Sequence, residues 1–239
     1  TQYNIQCKRQ PLFPRVKMEI NVNKDYIAFF DLDHTILNTS SGKIMGIAAL
    51  REGIIKRQKF IQGLFWTLGN KFGLIEGDTI LTRLAEWMKD HPEQYIIDWT
   101  TQVFNEVMKY TIRSEAIKEI EYHRNNNAHL VILSASASFI CKPVLEFLGL
   151  DDLICTDLHV VNNRFSGQSI GDICFGKEKL IRSKSFIKES NYSLDNAYFY
   201  TDSFTDLPML EAVGNPMAVT PDRKLAATAR SRGWQICKW

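Results

Sequence analysis

No two cysteines in this chain are spaced C-x-x-C, and the five present (Cys7, Cys141, Cys155, Cys174 and Cys237) are odd in number. A disulfide framework is therefore not expected, and the thiols read as free side chains in a reducing compartment. No apolar run approaches the roughly 18 residues that span a bilayer, and no signal-type apolar stretch opens the sequence. The expectation is a soluble, cytoplasmic protein. Net charge is scarce as well: 29 basic residues face 27 acidic ones, which gives nucleic-acid binding no support. The small basic excess is local, because Lys8, Arg9, Arg15 and Lys17 lie in a first stretch that holds no acid. Internal repeats and low-complexity tracts are absent. With 45% hydrophobic and 23% charged residues, the composition excludes a disordered or collagen-like chain.

What is present is an alternation. A length of 239 residues suits one α/β domain of about 150 residues plus a smaller insertion. Residues 1–24 are polar and basic without a period, and read as an N-terminal extension. Tyr26-Ile27-Ala28-Phe29-Phe30 is a continuous apolar run, the signature of a strand buried on both faces. Residues 128–133, 197–201 and 217–220 read the same way. Helical patterns at 114–125, 139–148, 178–189, 206–213 and 224–232 separate them, which predicts βαβ units around a parallel sheet. The stretch from Lys43 to Tyr110 holds helical patterns and no convincing strand, so it reads as a helical insertion. Val160-Val161-Asn162-Asn163-Arg164-Phe165 predicts a β-hairpin. The fold class is thus α/β, a three-layer Rossmann-like parallel sheet. Its core would comprise residues 25–41 and 112–239, with the helical insertion at 42–111.

The chemistry concentrates at strand ends. Phe30-Asp31-Leu32-Asp33-His34-Thr35 follows a buried strand directly, and ligands of open parallel sheets bind beyond the carboxyl ends of strands. Two carboxylates spaced this way can act as nucleophile and proton donor or as metal ligands; aspartates bonding to a turn backbone are the plain alternative. Ser134 and Ala135 close a second buried strand. Lys179 lies near the start of a helix, with Lys177 as a rival. Tyr200-Thr201-Asp202-Ser203-Phe204-Thr205-Asp206 puts two acids after a third strand, and Asp206 alone would read as a helix N-terminal acid.

Taken in this order, the four pieces resemble the haloacid dehalogenase (HAD) superfamily of phosphohydrolases over residues 25–236. The phosphoserine-phosphatase-like branch, subfamily IB with a helical C1-type cap, is the most similar. The resemblance implies that Asp31 is a nucleophile that becomes an aspartyl-phosphate, and that Asp33 is the proton donor and acceptor. It implies Mg²⁺ held by Asp31, the Asp33 carbonyl and Asp202. Ser134 and the Ala135 N–H would bind phosphoryl oxygens, Lys179 would neutralise charge, Asp206 would position Lys179 or a metal-bound water, and Thr35 would brace the loop. Of the two lysines, the resemblance points to Lys179, whose separation from Asp202 is the spacing expected of the family.

The substrate is less legible. Arg51, Lys56 and Arg57 belong to a basic part of the cap that reads either as a solvated face or as a lid attracting an anion. The apolar segment 60–68 reads as cap core or, alternatively, as a pocket or peripheral membrane contact for a lipid-like ester. No acid lies between Asp33 and Glu52, so the carboxylate with which phosphoserine phosphatases read an amino group is missing. The expected activity is a Mg²⁺-dependent phosphatase acting on a small soluble phosphate monoester. The alternatives are a lipid-like phosphate monoester, a phosphotransferase, or a catalytically silent binding protein of the same fold.

Overall fold

In the computed structural model, residues 24–58, 61–62, 85–188 and 190–239 are described. The expected extension, apart from Lys24, and most of the apolar segment at 60–68 lie outside these residues, as does the middle of the expected cap.

Six strands form one sheet: β1 (Tyr26–Phe30), β2 (Ala128–Ala137), β3 (Asp152–Thr156), β6 (Tyr198–Thr201), β7 (Asn215–Val219) and β8 (Gln235–Cys237). Their order is β3-β2-β1-β6-β7-β8 and every neighbouring pair is parallel. The period of two along β1 sorts its side chains between two cores. Ala28 and Phe30 join one, with Leu130, Ile132 and Tyr200, while Ile27 and Phe29 join the other, with Val131, Leu133 and Phe199. A strand buried on both faces needs apolar residues at every position, which is why the run at 26–30 is unbroken. The layered architecture expected from the alternation is the one found.

The helices that bear on the sheet and its loops are α1 (Ser41–Arg51), α2 (Glu93–Glu106), α3 (Ser114–Asn125), α4 (Ser138–Leu148), α5 (Lys177–Ile187), α6 (Leu207–Leu210) and α7 (Arg223–Arg232). Glycines in the left-handed region end two of them: Gly149 after α4 (φ 60°) and Gly233 after α7 (φ 70°), where a side chain would be strained. The helix expected over 206–213 is only α6, a single turn that a 3₁₀ turn at Phe204–Asp206 precedes.

The hairpin consists of β4 (Leu158–Val161) and β5 (Arg164–Ser169). Its two turn residues, Asn162 and Asn163, have φ of 51° and 60°, the paired left-handed geometry of a two-residue turn that asparagine tolerates. Two strands lack a clear sequence signal. β3 opens on Asp152, and β8 is three residues at the sheet edge.

The chain leaving the loop after β1 and the chain entering α3 are tied together beside β1. Leu37 and Ile112 form an antiparallel bridge. The Asn38 N–H donates to the Thr111 carbonyl at 2.8 Å, and the Arg113 N–H donates to the Ile36 carbonyl at 2.9 Å. Farther out, Pro92 bridges Arg164, so the hairpin grips the residues before α2. Phe104 of α2 also meets Phe147 of α4 edge-on, with centroids 5.6 Å apart.

Beneath the sheet, His123 of α3 is fully buried between two tyrosines. The Tyr26 hydroxyl lies 2.8 Å from Nδ1 and the Tyr200 hydroxyl lies 2.8 Å from Nε2. Tyr200 donates its own proton to Glu119 at 2.7 Å. It therefore accepts from Nε2–H, and in the neutral ring that burial favours, Nδ1 accepts from Tyr26. Burial pushes the His123 pKa down to about 4. Below its ordinary value near 6.5 the unfolded chain binds a proton that the folded chain refuses, so stability falls as pH drops from about 6.5 to about 4 and then levels. Urea unfolding at pH 7 and pH 4.5 checks this. Relative to a His123→Gln variant, the parent is expected to lose on the order of 2–3 kcal/mol more over that interval.

Candidate active site

β1 lies where the chain order reverses, since its neighbours β2 and β6 continue the sheet in opposite directions. Side chains just past the carboxyl ends of β1 and β6 share the crevice that such a reversal opens. Asp31 follows β1 immediately and Asp202 follows β6 immediately. The Asp31 N–H donates to the Tyr200 carbonyl at 2.9 Å, extending the sheet pairing by one bond and fixing where its side chain starts.

Lys179 enters from the first turn of α5. Gly176, before that helix, has φ of 54°, and a Cβ there would approach the Thr205 carbonyl at 3.4 Å. The positive φ is the ground on which glycine suits the position, since 3.4 Å is an ordinary contact. Lys179 is only 3% exposed. Its Nζ lies 2.7 Å from Asp31 Oδ1 and 2.7 Å from Asp206 Oδ2. Lys177 is exposed, so of the two lysines it is Lys179 that meets the acids. The Thr201 hydroxyl also donates to Asp206 Oδ2 at 2.7 Å, holding that carboxylate against the ammonium.

Charge in this crevice is unbalanced. Burial opposes the charge of Lys179, but Asp206 and Asp31 outweigh it and raise its pKa. Burial likewise pushes Asp31 above the usual carboxylate range; Lys179 opposes the rise, while Asp206 and Asp33 add to it. Burial, then the nearby charges of Asp31 and Asp206, raise Asp202 to about 8. One ammonium thus serves several acids, and a further cation would relieve them. Among the described residues no cluster of three or more His, Cys, Asp or Glu is arranged around a metal position. Asp31 and Asp202, which follow β1 and β6, are the carboxylates that burial and mutual repulsion leave in need of a cation. Those are hard oxygen donors of the kind that suit Mg²⁺.

The remaining residues of the first loop are arranged differently from one another. The loop turns tightly: the Ile36 N–H reaches the Asp31 carbonyl at 3.3 Å and the Leu37 N–H reaches the Leu32 carbonyl at 2.9 Å. His34 sits at the bend with φ of 57°. Thr35 is fully buried and its hydroxyl has no hydrogen-bond partner, so its contact with the loop is one of packing. Asp33 Oδ1 accepts from the Ser41 N–H at 2.8 Å, and Oδ2 accepts from the Ser40 hydroxyl at 3.3 Å. Ser134, 2% exposed, accepts from the Ser136 N–H at 3.2 Å. The carbonyl of Ala135 accepts from the Thr156 hydroxyl at 2.8 Å. Ser41, at the start of α1, and Ser136, near the end of β2, meet through their hydroxyls, 2.9 Å apart.

Arg51, Lys56 and Arg57 are all exposed, and no contact brings them to the carboxylates. Arg51 ends α1, about 15 Å along the helix from Ser41 at 1.5 Å per residue. Sequence reasoning also passed over residues that the fold recruits. Thr201 left a faint signal, since it adjoins Asp202. Asp222 left a stronger one, standing before a helical pattern as an N-cap should. It caps α7 through Lys224 and Leu225, accepts from the Phe204 N–H at 2.7 Å, and donates its own N–H to the Asp202 carbonyl at 2.8 Å. Ser40, Ser41 and Ser136 gave none, because serine among small residues reads as ordinary loop.

Known proteins give this geometry a setting. The family model described as haloacid dehalogenase-like hydrolase matches residues 28–211. A protein of Streptomyces azureus named for inhibition of morphological differentiation is 30% identical over 217 residues, 87% of this chain and 76% of its own. A histidinol-phosphatase of Neisseria meningitidis is 24% identical over 221 residues, covering 88% of this chain and 97% of that one. A substrate-bound phosphoserine phosphatase structure superposes with a TM-score of 0.67 at 18% identity, over 90% of this chain and 92% of the other, a likeness of fold. Because the family model spans both halves of the site, from the strand before Asp31 to the residues past Asp206, the chain belongs to the haloacid dehalogenase-like hydrolases.

Proposed function

We propose that this hydrolase is a Mg²⁺-dependent phosphatase that cleaves a small soluble phosphate monoester through an aspartyl-phosphate on Asp31. The observation that carries the reading is the buried ammonium of Lys179 at 2.7 Å from both Asp31 and Asp206. A carboxylate is a weak nucleophile towards an anionic ester unless the charge around it is neutralised, and Lys179 does this at the nucleophile itself. The names of relatives such as the histidinol-phosphatase support the same chemistry.

The residues divide the work as follows. An Asp31 carboxylate oxygen bonds to phosphorus while the bond from phosphorus to the ester oxygen breaks. Asp33 gives its proton to the departing oxygen, so an alcohol leaves rather than an alkoxide. Water then attacks the phosphorus of the aspartyl-phosphate, Asp33 takes the water proton, and the bond from phosphorus to Asp31 breaks to release inorganic phosphate. Ser134 and the Ala135 N–H hold the phosphoryl oxygens, and Asp206 with Thr201 keeps Lys179 in place. Asp31, the Asp33 carbonyl and Asp202 would hold the Mg²⁺, which supplies further neutralisation of the phosphoryl charge.

Three measurements test this. Phosphate release from 4-nitrophenyl phosphate with Mg²⁺ is expected to disappear in Asp31→Asn; a variant that still turns over would end the aspartyl-phosphate reading. Mg²⁺ is expected to raise the thermal midpoint of the parent, because it binds the folded chain, and to leave Asp202→Asn unmoved. Lys179→Met leaves two buried carboxylates facing one another, so urea unfolding near neutral pH is expected to show a loss of about 3–5 kcal/mol.

A further inference from the structure

We propose that the start of α1, through the Ser41 N–H and the Ser40 hydroxyl, positions Asp33 for proton transfer to the leaving group. The inference rests on the role given to Asp33 above and extends it to two residues whose side chains do no chemistry. The two oxygens of Asp33 are held differently. Oδ1 takes the Ser41 N–H at 2.8 Å, and Oδ2 takes the Ser40 hydroxyl at the longer 3.3 Å. A main-chain N–H can only donate, so it fixes Oδ1 as an acceptor throughout. A serine hydroxyl can donate to a carboxylate or accept from a carboxylic acid. Ser40 can therefore hold Oδ2 both before and after that oxygen gives up its proton.

The placement has a second consequence. Ser41 is fully buried, and its hydroxyl meets Ser136 at 2.9 Å, two residues past Ser134. The group that protonates the leaving oxygen and the loop that binds the phosphoryl oxygens are thus referred to one helix end. That helix opens the insertion, so a displacement of α1 would carry Asp33 with it. Without these contacts the Asp33 side chain could swing about its rotatable bonds, and a proton donor out of line with the leaving oxygen is of little use.

The backbone offers a clean way to delete the principal contact. Ser41 is the first helical residue of α1, and Ser40 before it is extended, with φ of −84° and ψ of 130°. Proline is tolerated at that first position, and an extended residue is what proline requires before it. Ser41→Pro therefore removes the N–H while keeping the helix. Ser41→Ala loses the hydroxyl but keeps the N–H, and is the reference against which the proline variant is read. Ser40→Ala and Ser40→Thr test the second contact without touching the helix backbone.

The readout is kcat/KM for two esters, 4-nitrophenyl phosphate and whichever alkyl phosphate the parent turns over fastest. A nitrophenolate leaves without a proton and an alkoxide does not, so only the alkyl ester needs a well-placed acid to leave. Ser41→Pro is expected to lower the alkyl-to-aryl ratio about tenfold or more relative to Ser41→Ala, the range for losing a hydrogen bond to a charged group. Ser40→Ala should lower it less, and Ser40→Thr should restore it. Equal losses on both esters, or no loss on either, from a folded Ser41→Pro would overturn the positioning role. If that variant does not fold, the Ser40 pair decides, and an unchanged ratio in Ser40→Ala overturns it. Asp33→Asn distinguishes failure of the proton-donor role from failure of the positioning role. If it shows no split between the esters, or if the parent cleaves no alkyl phosphate at all, the assignment of Asp33 fails and this inference fails with it. If Asp33→Asn shows the split and the serine variants do not, this inference alone is wrong.

Discussion

One buried cation organises this molecule. Lys179 sits at 2.7 Å from carboxylates contributed by two different segments, and hardly any of it reaches solvent. Taking an ammonium out of water is costly unless its partners are close and well aligned. The pair of acids therefore has to be delivered accurately, by the end of β1 for Asp31 and by the turn after β6 for Asp206. The parallel register of β1 with β6, in which Phe30 pairs with Tyr200, is what brings those two ends level. A slip of that register would leave an unpaired charge in the protein interior.

The same arrangement holds the site in tension with stability. Carboxyl groups whose pKa is raised by burial and by one another, as Asp31 and Asp202 are, are groups that folding would rather see neutral. A protein selected only to fold would replace one of them with asparagine. Their presence beside Lys179 accords with the cation site and nucleophile proposed above. The His123 cluster beneath the sheet shows the opposite solution. Two tyrosines and Glu119 satisfy its ring in a fixed direction, and burial keeps it neutral.

Much of this was legible from the chain. Alternating apolar runs and helical patterns gave the parallel sheet, because a strand buried on both faces admits no polar position and β1 has none between Ile27 and Phe30. The Asn162-Asn163 turn gave the hairpin, because few side chains accept left-handed geometry twice in succession. Asp31, Asp33 and Asp202 stood out because they follow buried apolar runs closely, although a turn offered a plain alternative, and the roles proposed for them came from the family resemblance. β8 was not legible because three residues are too few to show a period, and β3 was not because it opens on Asp152 and so lacks the unbroken apolar run that marks β1. Thr35 was expected to brace its loop, and its hydroxyl bonds to nothing. Arg51, Lys56 and Arg57 share a charge sign with a plausible lid, but their distance from the carboxylates depends on helix direction and length, which charge counting does not contain.

Sequence by itself determined the order of elements and the identity of the acids, since both follow from local pattern: periodicity for the strands and helices, unusual residue types at strand ends for the chemistry. The resemblance favoured Lys179 over Lys177, and the tertiary structure supplied the physical reason, since the two differ in facing rather than in type and only Lys179 is buried against the acids. Only the tertiary structure decided that Thr201 steadies Asp206 and that the start of α1 grips Asp33. Contacts of that kind join residues from separate elements through hydrogen bonds about 3 Å long, and nothing in a local pattern measures distance across a fold.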